Sequence, residues 1–415
     1  MLRTTRLGVV MVALVASGLS LLTRPAMGNE TDQFTLPTDK AFADLGPYME
    51  ETHYEVMARV VDDLNKDLRR AYRGVRNRRV ELLTSPGTVA DRFRNEFSPG
   101  FVETMHLEHA LRTRSAKSAF ADQYTAYRTY GWIYAWAHLP IDPRRLIMLF
   151  QSSTIKVHGA YMGTDKIAHF HDLGHIYYRS YLARLEAGMT PEESRDWVVW
   201  FYSKGPLSES LTIGAIATGV ISNADLASNY VGMLFYQNLT EQIMIGDEVL
   251  PPMLELNNGY WRIAYHVRPE SGYLRPFLTD HCNEALNPCI YEIEMRRPIR
   301  KHLRKHSDQI LTIYADDQGA PRPPEWFRDK AVELRTFHGQ DYGAVIRESK
   351  MFSIADACEF PSQFDSPGTR VTAAPDGQTR FTEVAADPPP SPPSRPTIRS
   401  ENEIATSSPD VVRLP

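Results

Sequence analysis

The sequence predicts an all-α fold, a multi-helix globular domain followed by a disordered C-terminal tail. Apolar residues recur at spacings of three and four in Tyr48 to Leu83, Phe101 to Trp136 and Arg144 to Phe150, which is the spacing of a buried helix face. The alternating pattern of strands is scarce. We expect one short β-ribbon near Asn257 to Val267, where Asn258-Gly259 is a hairpin turn signal.

The N-terminus has the features of a secretory signal peptide. Arg3 and Arg6 precede an apolar stretch from Leu7 to Leu22, and the small residues Ala26 and Gly28 stand where a cleavage site would end. The stretch is shorter than the roughly 20 residues that a membrane-spanning helix needs. We therefore expect a signal peptide over residues 1–28, no transmembrane span in the mature chain, and a periplasmic or secreted location.

Composition divides the mature chain into three parts. Residues 29–45 are polar without a period and are expected to form an N-terminal arm. Residues 46–364 carry the helical pattern and form the predicted domain. Residues 365–415 are rich in Pro and Ser, as in Asp387 to Pro396, and hold too few apolar residues to bury a core. That tail is expected to be disordered or an extended spacer.

Helix starts are marked along the second half of the domain by side chains that accept hydrogen bonds from the first free backbone N–H groups. Thr190 is the clearest, since Pro191 and two glutamates follow it. Gly188 is expected to end the helix before it. The predicted starts, in chain order, are Thr164 with Asp165, Thr190, Ser208 and Ser222.

The charge of the chain restricts the classes of partner that it can bind. The formal net charge is -5 and the sequence pI is about 6.2, so no overall positive field attracts nucleic acid. The basic runs at 69–79 and 296–305 are expected to be solvated helix faces.

Cys282 and Cys289 flank a loop with an Asn287-Pro288 turn signal. They form either a disulfide, which an oxidising compartment allows, or a pair of buried thiols; Cys358 is left over.

The densest chemistry lies between Gly163 and His175, in the run Gly-Thr-Asp-Lys-Ile-Ala-His-Phe-His-Asp-Leu-Gly-His. Neutral imidazole and ionised carboxylate are the groups that bind zinc, manganese or iron. A helix advances about 100° per residue, so Asp165, His169 and Asp172 are predicted to share one stripe. His171 and His175 form a second pair at its flank.

A second polar group follows in the helix that Ser222 begins, where Asp225 and Asn229 stand at i and i+4 with Gly232 continuing their stripe. A capping box alone would explain Ser222 and Asp225, but it does not explain Asn229.

From the two polar groups together, the sequence nominates Asp172 and His175 as catalytic acid/base groups. The predicted metal ligands are Asp165, His169, Asp172, His175, Asp225 and Asn229.

Two local resemblances bear on these residues. His171-Asp-Leu-Gly-His175 resembles the H-D-x-G-H core of the HD-domain phosphohydrolases, which implies a metal-bound His-Asp pair, with His109 and Asp225 as the further ligands that family needs. Asp165-Lys-Ile-Ala-His-Phe170 is similar to the D-K-x-x-H-F segment of YfiM-like bacterial envelope proteins, which implies an envelope protein without assigning a mechanism.

Three classes of function follow. The first is an exported protein with a His/Asp metal or acid/base site, which would act as a metal-dependent hydrolase using zinc, manganese or iron. The second is a non-enzymatic envelope protein in which the same residues form a buried polar network or a solvated face. The third is a binding module whose aromatic stretch from Tyr124 to Trp136 lines a pocket for a sugar or lipid, as a small-molecule or envelope ligand. The oligomeric state stays open.

Overall fold

The computed structural model describes residues 34, 36–97, 122–127, 152–205, 220–291, 293–316, 318–347, 350–355, 369–373 and 379–383. Helices dominate these ranges, and short antiparallel strand pairs lie between them. The predicted helical domain is therefore confirmed, whereas strictly all-α was wrong. The predicted signal peptide, Arg144 to Phe150 and the helix start at Ser208 fall outside the described residues.

The first three helices are α1 (Gly46–Arg73), α2 (Asn77–Leu83) and α3 (Pro86–Phe97). The helical pattern predicted from Tyr48 to Leu83 is thus confirmed, with a break between α1 and α2. At this break Val75 has a φ of 48°, a left-handed conformation that is strained for a β-branched residue.

The predicted helix from Phe101 to Trp136 is described only at residues 122–127, and there it is wrong. Tyr124 forms a parallel bridge with Phe42, and Tyr127 an antiparallel bridge with Thr154. The backbone is extended at both tyrosines because each pairs with a distant segment. The rest of the aromatic stretch lies outside the described residues.

The central segment begins with the hairpin β1 (Thr154–Val157) and β2 (Ala160–Gly163). It continues as α4 (Thr164–Ala168), a π-helical turn over His169–Leu173, and α5 (Gly174–Glu186). The helix α6 (Pro191–Lys204) then starts at Thr190 as predicted, and the Thr190 hydroxyl accepts a hydrogen bond from the Glu193 N–H in a capping box. Gly188 adopts a φ of 90° after α5, as expected of a residue that ends a helix.

The remaining elements follow in chain order. They are β3 (Val220–Ile221), α7 (Asn223–Asn238), β4 (Ile243–Ile245), β5 (Glu248–Leu250), β6 (Leu254–Asn257), β7 (Tyr260–Ile263), a 3₁₀ turn (Asp280–Cys282), β8 (Cys289–Tyr291), α8 (Ile293–Ile313), α9 (Pro324–Glu333) and β9 (Met351–Phe352). Strand β8 pairs with both β3 and β9. The predicted β-ribbon is confirmed as β6–β7, with φ of 49° and 79° at Asn258 and Gly259.

Helix α7 is buried on nearly every side and packs against the π turn and α5. Two glycines permit this close approach. A Cβ at Gly174 would clash with the backbone of Gly232, and a Cβ at Gly232 would clash with the Phe170 carbonyl. The glycines therefore bring the backbone beside His169 into direct contact with α7.

The chain divides into two units, Met1–Pro361 and Ser362–Pro415. In the second unit, which contains the predicted tail, the described residues form the antiparallel hairpin of β10 (Thr369–Ala373) and β11 (Thr379–Glu383). Across the described ranges, no helix combines the length and the apolar character that crossing a membrane requires.

Candidate metal centre

Three of the predicted ligands converge in the core between α4, the π turn and α7. Asp165, His169 and Asp225 each offer one ligand atom, and these atoms all lie within 4.8 Å of one another. Their exposed fractions are 4%, 1% and 2%. This buried group, called the metal triad below, could hold a metal ion.

Asp165 is fixed from two sides in the first turn of α4. Its Oδ1 accepts a hydrogen bond from Ser152 Oγ at 2.8 Å, and its Oδ2 accepts one from Lys166 Nζ at 2.6 Å. Burial by itself raises the pKa of the carboxyl group, but the charge of Lys166 and the hydrogen bonds from Lys166 and Ser152 lower it. The pKa of Asp165 is therefore below its ordinary value, and the group is a carboxylate at neutral pH.

The imidazole of His169 lies between an amide and a carboxylate on α7. Its Nδ1 is 3.0 Å from Asn229 Oδ1, and its Nε2 is 3.6 Å from Asp225 Oδ2. Because an amide oxygen only accepts hydrogen bonds, Nδ1 carries the proton. In the neutral ring Nε2 then presents a lone pair towards Asp225, and it has no hydrogen-bond partner among the described residues.

Two further charged residues complete the cluster and were missed by sequence reasoning. Lys166 is 1% exposed, and its Nζ contacts the carboxyl groups of Asp165, Asp225 and Glu284. Glu284 Oε1 also accepts a hydrogen bond from Ser222 Oγ at 3.2 Å. The available signal for Lys166 was a lysine among the ligand residues of a buried helix; nothing in the sequence links Glu284 to them.

Glu284 differs from Asp165 in its protonation. Burial raises the pKa of its carboxyl group well above the ordinary value, and the neighbouring charges of Asp225 and Asp165 add to that effect against the opposing charge of Lys166. Glu284 is therefore protonated at a pH where Asp165 is ionised. The cluster then holds two aspartates, one ammonium group and one neutral acid.

The structure separates Asp172 and His175 from the metal triad. Asp172 Oδ1 accepts hydrogen bonds from Arg94 Nη2 at 2.9 Å and Nε at 3.1 Å, while His175 Nε2 lies 2.9 Å from Asp91 Oδ1. Both side chains are partly exposed, and both tie the helical segment to α3. The predicted stripe of Asp165, His169 and Asp172 and its extension to His175 are thus corrected.

The reason is the π turn, which contains Asp172 and precedes His175. The prediction assumed a regular α-helix, but His169–Leu173 is π-helical, and such a turn accommodates one extra residue. Residues after it are rotated by about 100° relative to a regular helix. His169 therefore faces α7, whereas the side chains of Asp172 and His175 face α3.

His171 also lies apart, in an aromatic pocket. Its Nε2 is 3.0 Å from His53 Nε2, and its ring stacks on Phe97 at 3.8 Å between centroids. His53 is anchored through Nδ1 to the Met49 carbonyl oxygen at 2.6 Å. Burial lowers the pKa of both imidazoles, that of His53 to about 4. Two uncharged rings therefore help to join α1 to the π turn.

Stability is expected to depend on pH through His53. Its ordinary pKa is about 6.5 in the unfolded chain, so between pH 6.5 and 4 the unfolded state binds a proton that the folded state does not. The contribution of the neutral His53 to the free energy of unfolding is present above pH 6.5 and is lost as the pH falls. On going from pH 7 to pH 4.5 the loss is about 2 kcal/mol, measurable by urea unfolding at both pH values.

His53→Phe is the comparison that isolates this effect. Glu284 and Glu50 have raised pKa values and titrate with the opposite sign in the same range, and His171 has a lowered pKa and titrates with the same sign, but all three remain in both proteins. The unfolding free energy of the His53→Phe variant should fall by about 2 kcal/mol less between pH 7 and 4.5. An equal fall in the two proteins would contradict a neutral buried His53.

Cys282 and Cys289 are both buried, and they do not form a disulfide. Burial raises the pKa of the Cys282 thiol to about 11. The Cys289 thiol donates a hydrogen bond to the Asn287 carbonyl oxygen at 3.2 Å. Of the two alternatives that the sequence left open, the structure thus has the buried thiols. Cys358 and His109 lie outside the described residues.

Comparison with protein-family models, with curated proteins and with solved structures finds no match for this chain. The metal triad and its surroundings are therefore the features of this chain that bear on its function.

Proposed function

We propose that this chain is an exported protein of the bacterial envelope and a metal-dependent hydrolase, in which Asp165, His169 and Asp225 bind one divalent cation. The observation that carries the proposal is the orientation of His169. Its Nδ1 lies 3.0 Å from Asn229 Oδ1, and its Nε2 is directed at Asp225 Oδ2 at 3.6 Å and has no hydrogen-bond partner among the described residues. With the ring neutral, a cation between these groups would be bound by both of them.

The surroundings agree with this role. A metal-binding histidine ordinarily donates its second N–H to a carboxylate, carbonyl or water, which fixes the ring and its tautomer. Asn229 supplies that acceptor for His169, and Ser152 holds Asp165 in the same way. The mixed nitrogen and oxygen donors suit zinc, manganese or iron.

Charge balance favours a cation with a bound hydroxide. The carboxylates of Asp165 and Asp225 and the ammonium of Lys166 together leave one negative charge in a buried cluster when Glu284 is protonated and His169 is neutral. A divalent cation and one hydroxide cancel that charge. Three protein ligands leave a coordination position for this hydroxide, as in catalytic rather than structural zinc sites.

The bound cation would lower the pKa of its water and so supply the nucleophile for hydrolysis. The chain's own residues would hold that water and manage its proton. Glu284 carries a proton beside the triad, and Lys166 spans Asp165, Asp225 and Glu284. Asp172 and His175 take no part because they pair with α3.

A second candidate is a purely structural network in a non-enzymatic envelope protein. It is favoured by the position of Lys166, whose ammonium group contacts three carboxyl groups at once and could itself act as the buried cation. A paired buried charge is weak evidence of stability, but removing one partner leaves the others uncompensated. The two candidates differ in metal content.

The hydrolase proposal is tested with the purified protein on chromogenic carboxylic and phosphate esters, before and after chelation. We expect hydrolysis that chelation abolishes and that zinc or manganese restores. The Asp225→Asn variant should lose this hydrolysis. The matched Asp172→Asn variant, which alters the same residue type outside the triad, should retain this hydrolysis. Metal binding without chelator-sensitive hydrolysis of any ester would contradict the hydrolase, and absence of metal would favour the structural network.

A further inference from the structure

The basic run at 69–79, expected from the sequence to be a solvated helix face, has a more specific shape in the structure. Residues of α2 and α3 line a surface concavity of about 680 Å³, here called the basic concavity. Its apolar lining residues are Leu82 and Leu83. The basic residues that line it are Arg76, Arg78, Arg79 and Arg92.

The charges in this concavity are largely uncompensated. Arg92 pairs with Asp67 at 2.8 Å. The exposed guanidinium groups of Arg76, Arg78 and Arg79, by contrast, form no ion pair with any carboxylate of the described chain. The whole chain carries a net charge of -5, so this patch is locally positive on a protein that is negative overall. Such a patch attracts an anionic partner.

Exposed apolar side chains lie beside these arginines. Val75 is 82% exposed, Leu82 is 62% exposed and Tyr72 is 41% exposed. Val75 lies at the turn between α1 and α2 and holds a left-handed φ of 48°, a conformation that glycine or asparagine would adopt with less strain. An apolar side chain is thus presented to solvent at a position where local backbone preference disfavours it.

We propose that the basic concavity and the exposed Val75 form a docking site for a bilayer surface that contains anionic phospholipid. Guanidinium groups pair with phosphate oxygens in a bidentate manner, and basic side chains with apolar neighbours are the combination that binds at a membrane interface. A soluble polyanion would use the arginines but would gain nothing from Val75 and Leu82. This inference does not depend on the metal triad.

The charge contribution is tested by sedimentation of the full chain with phosphatidylcholine vesicles, with and without phosphatidylglycerol. We expect binding to the anionic vesicles, and a fall on the order of 100-fold in the triple variant Arg76→Gln, Arg78→Gln, Arg79→Gln, since each basic residue near an anionic surface contributes about fivefold. The matched control, Arg297→Gln, Lys301→Gln, Arg304→Gln, removes three exposed charges from α8 and should bind like the parent.

The apolar contribution is tested at residue 75 itself. The fluorescence of the tryptophan introduced by Val75→Trp should be quenched by brominated lipid in anionic vesicles. The fluorescence of the tryptophan introduced by Tyr265→Trp, at a residue that is 85% exposed elsewhere on the surface, should not be quenched. Val75→Gly relieves the backbone strain, so its melting temperature should not fall, yet its vesicle affinity should drop roughly 5- to 10-fold. All variants share the same N-terminal apolar segment, so its own affinity for lipid cancels between them.

Three results would overturn the proposal. One is equal vesicle binding by the parent and the triple arginine variant. A second is quenching at residue 265 but not at residue 75, which would place another surface on the bilayer. The third is arginine-dependent binding to inorganic polyphosphate in solution without vesicle binding, which would assign the basic concavity to a soluble polyanion.

Discussion

Replacing His169 with alanine is expected to weaken binding of a divalent cation at least 100-fold. His169 supplies the nitrogen ligand of the metal triad, and its Nε2 faces Asp225 from the centre of the cluster. Loss of a residue that only orients a ligand typically costs 10- to 100-fold in metal affinity, so loss of the ligand itself should cost more. Asn229→Leu, which removes the acceptor for Nδ1, should fall within that smaller range.

The measurement is calorimetric titration of zinc or manganese into protein freed of metal by chelation. His175→Ala is the matched control, because it removes an imidazole from the same helical segment but outside the triad. It should retain the affinity of the parent. If His169→Ala and His175→Ala bound the cation equally well, His169 would not be a ligand.

The second large effect is expected from Lys166→Met in the metal-free protein. Lys166 is buried among three carboxyl groups, and methionine would leave the aspartates without a positive charge. Removing one partner of a buried ionic group lowers the free energy of unfolding by about 3 to 5 kcal/mol. Added zinc or manganese should restore part of this stability, since the cation supplies the missing charge and binds only the folded protein.

Urea unfolding in the presence of chelator, and again with added metal, measures both parts. Lys66→Met is the control, because Lys66 is half-exposed and pairs with Asp62 and Asp63 at the surface; its unfolding free energy should change little. Stability lost in Lys166→Met but not recovered with any divalent cation would favour the purely structural network. An unchanged stability would contradict the ionic role of Lys166.

The sequence predicted the parts of the site that depend on local spacing. Asp225 and Asn229 stand at i and i+4 after a helix cap, and both face the cluster because the intervening helix α7 is regular. Asp165 and His169 also converge, since they lie before and at the start of the π turn. In these cases one turn of ideal helix carried the prediction.

The rest depended on tertiary structure. The π turn, which the residue pattern did not indicate, rotates Asp172 and His175 towards Arg94 and Asp91 on α3. Glu284 reaches the triad from the loop before β8, more than a hundred residues after Asp165 in the chain, through contacts with Lys166 and Ser222. No helical or strand period connects residues that distant, so spacing could not nominate it.

The elements of the fold were likewise predicted where the signal is local and missed where it depends on contacts between distant parts of the chain. Capping chemistry predicted the start of α6 at Thr190, and the Asn258-Gly259 pair predicted the β6–β7 hairpin, because both signals act within four residues. The short strands β3, β8 and β9 pair across long stretches of chain. Each has only two or three residues, too few for an alternating pattern to indicate a strand.

The most direct test of the metal triad is X-ray absorption at the zinc edge of the zinc-loaded protein, compared with His169→Ala. The proposed site predicts one ion per chain, with an imidazole nitrogen at about 2.0 to 2.1 Å and carboxylate oxygens at about 2.0 to 2.2 Å. The imidazole signal should be absent in the variant. A chain that retains no stoichiometric zinc, or a spectrum with the same imidazole signal in both proteins, would contradict a cation held by Asp165, His169 and Asp225.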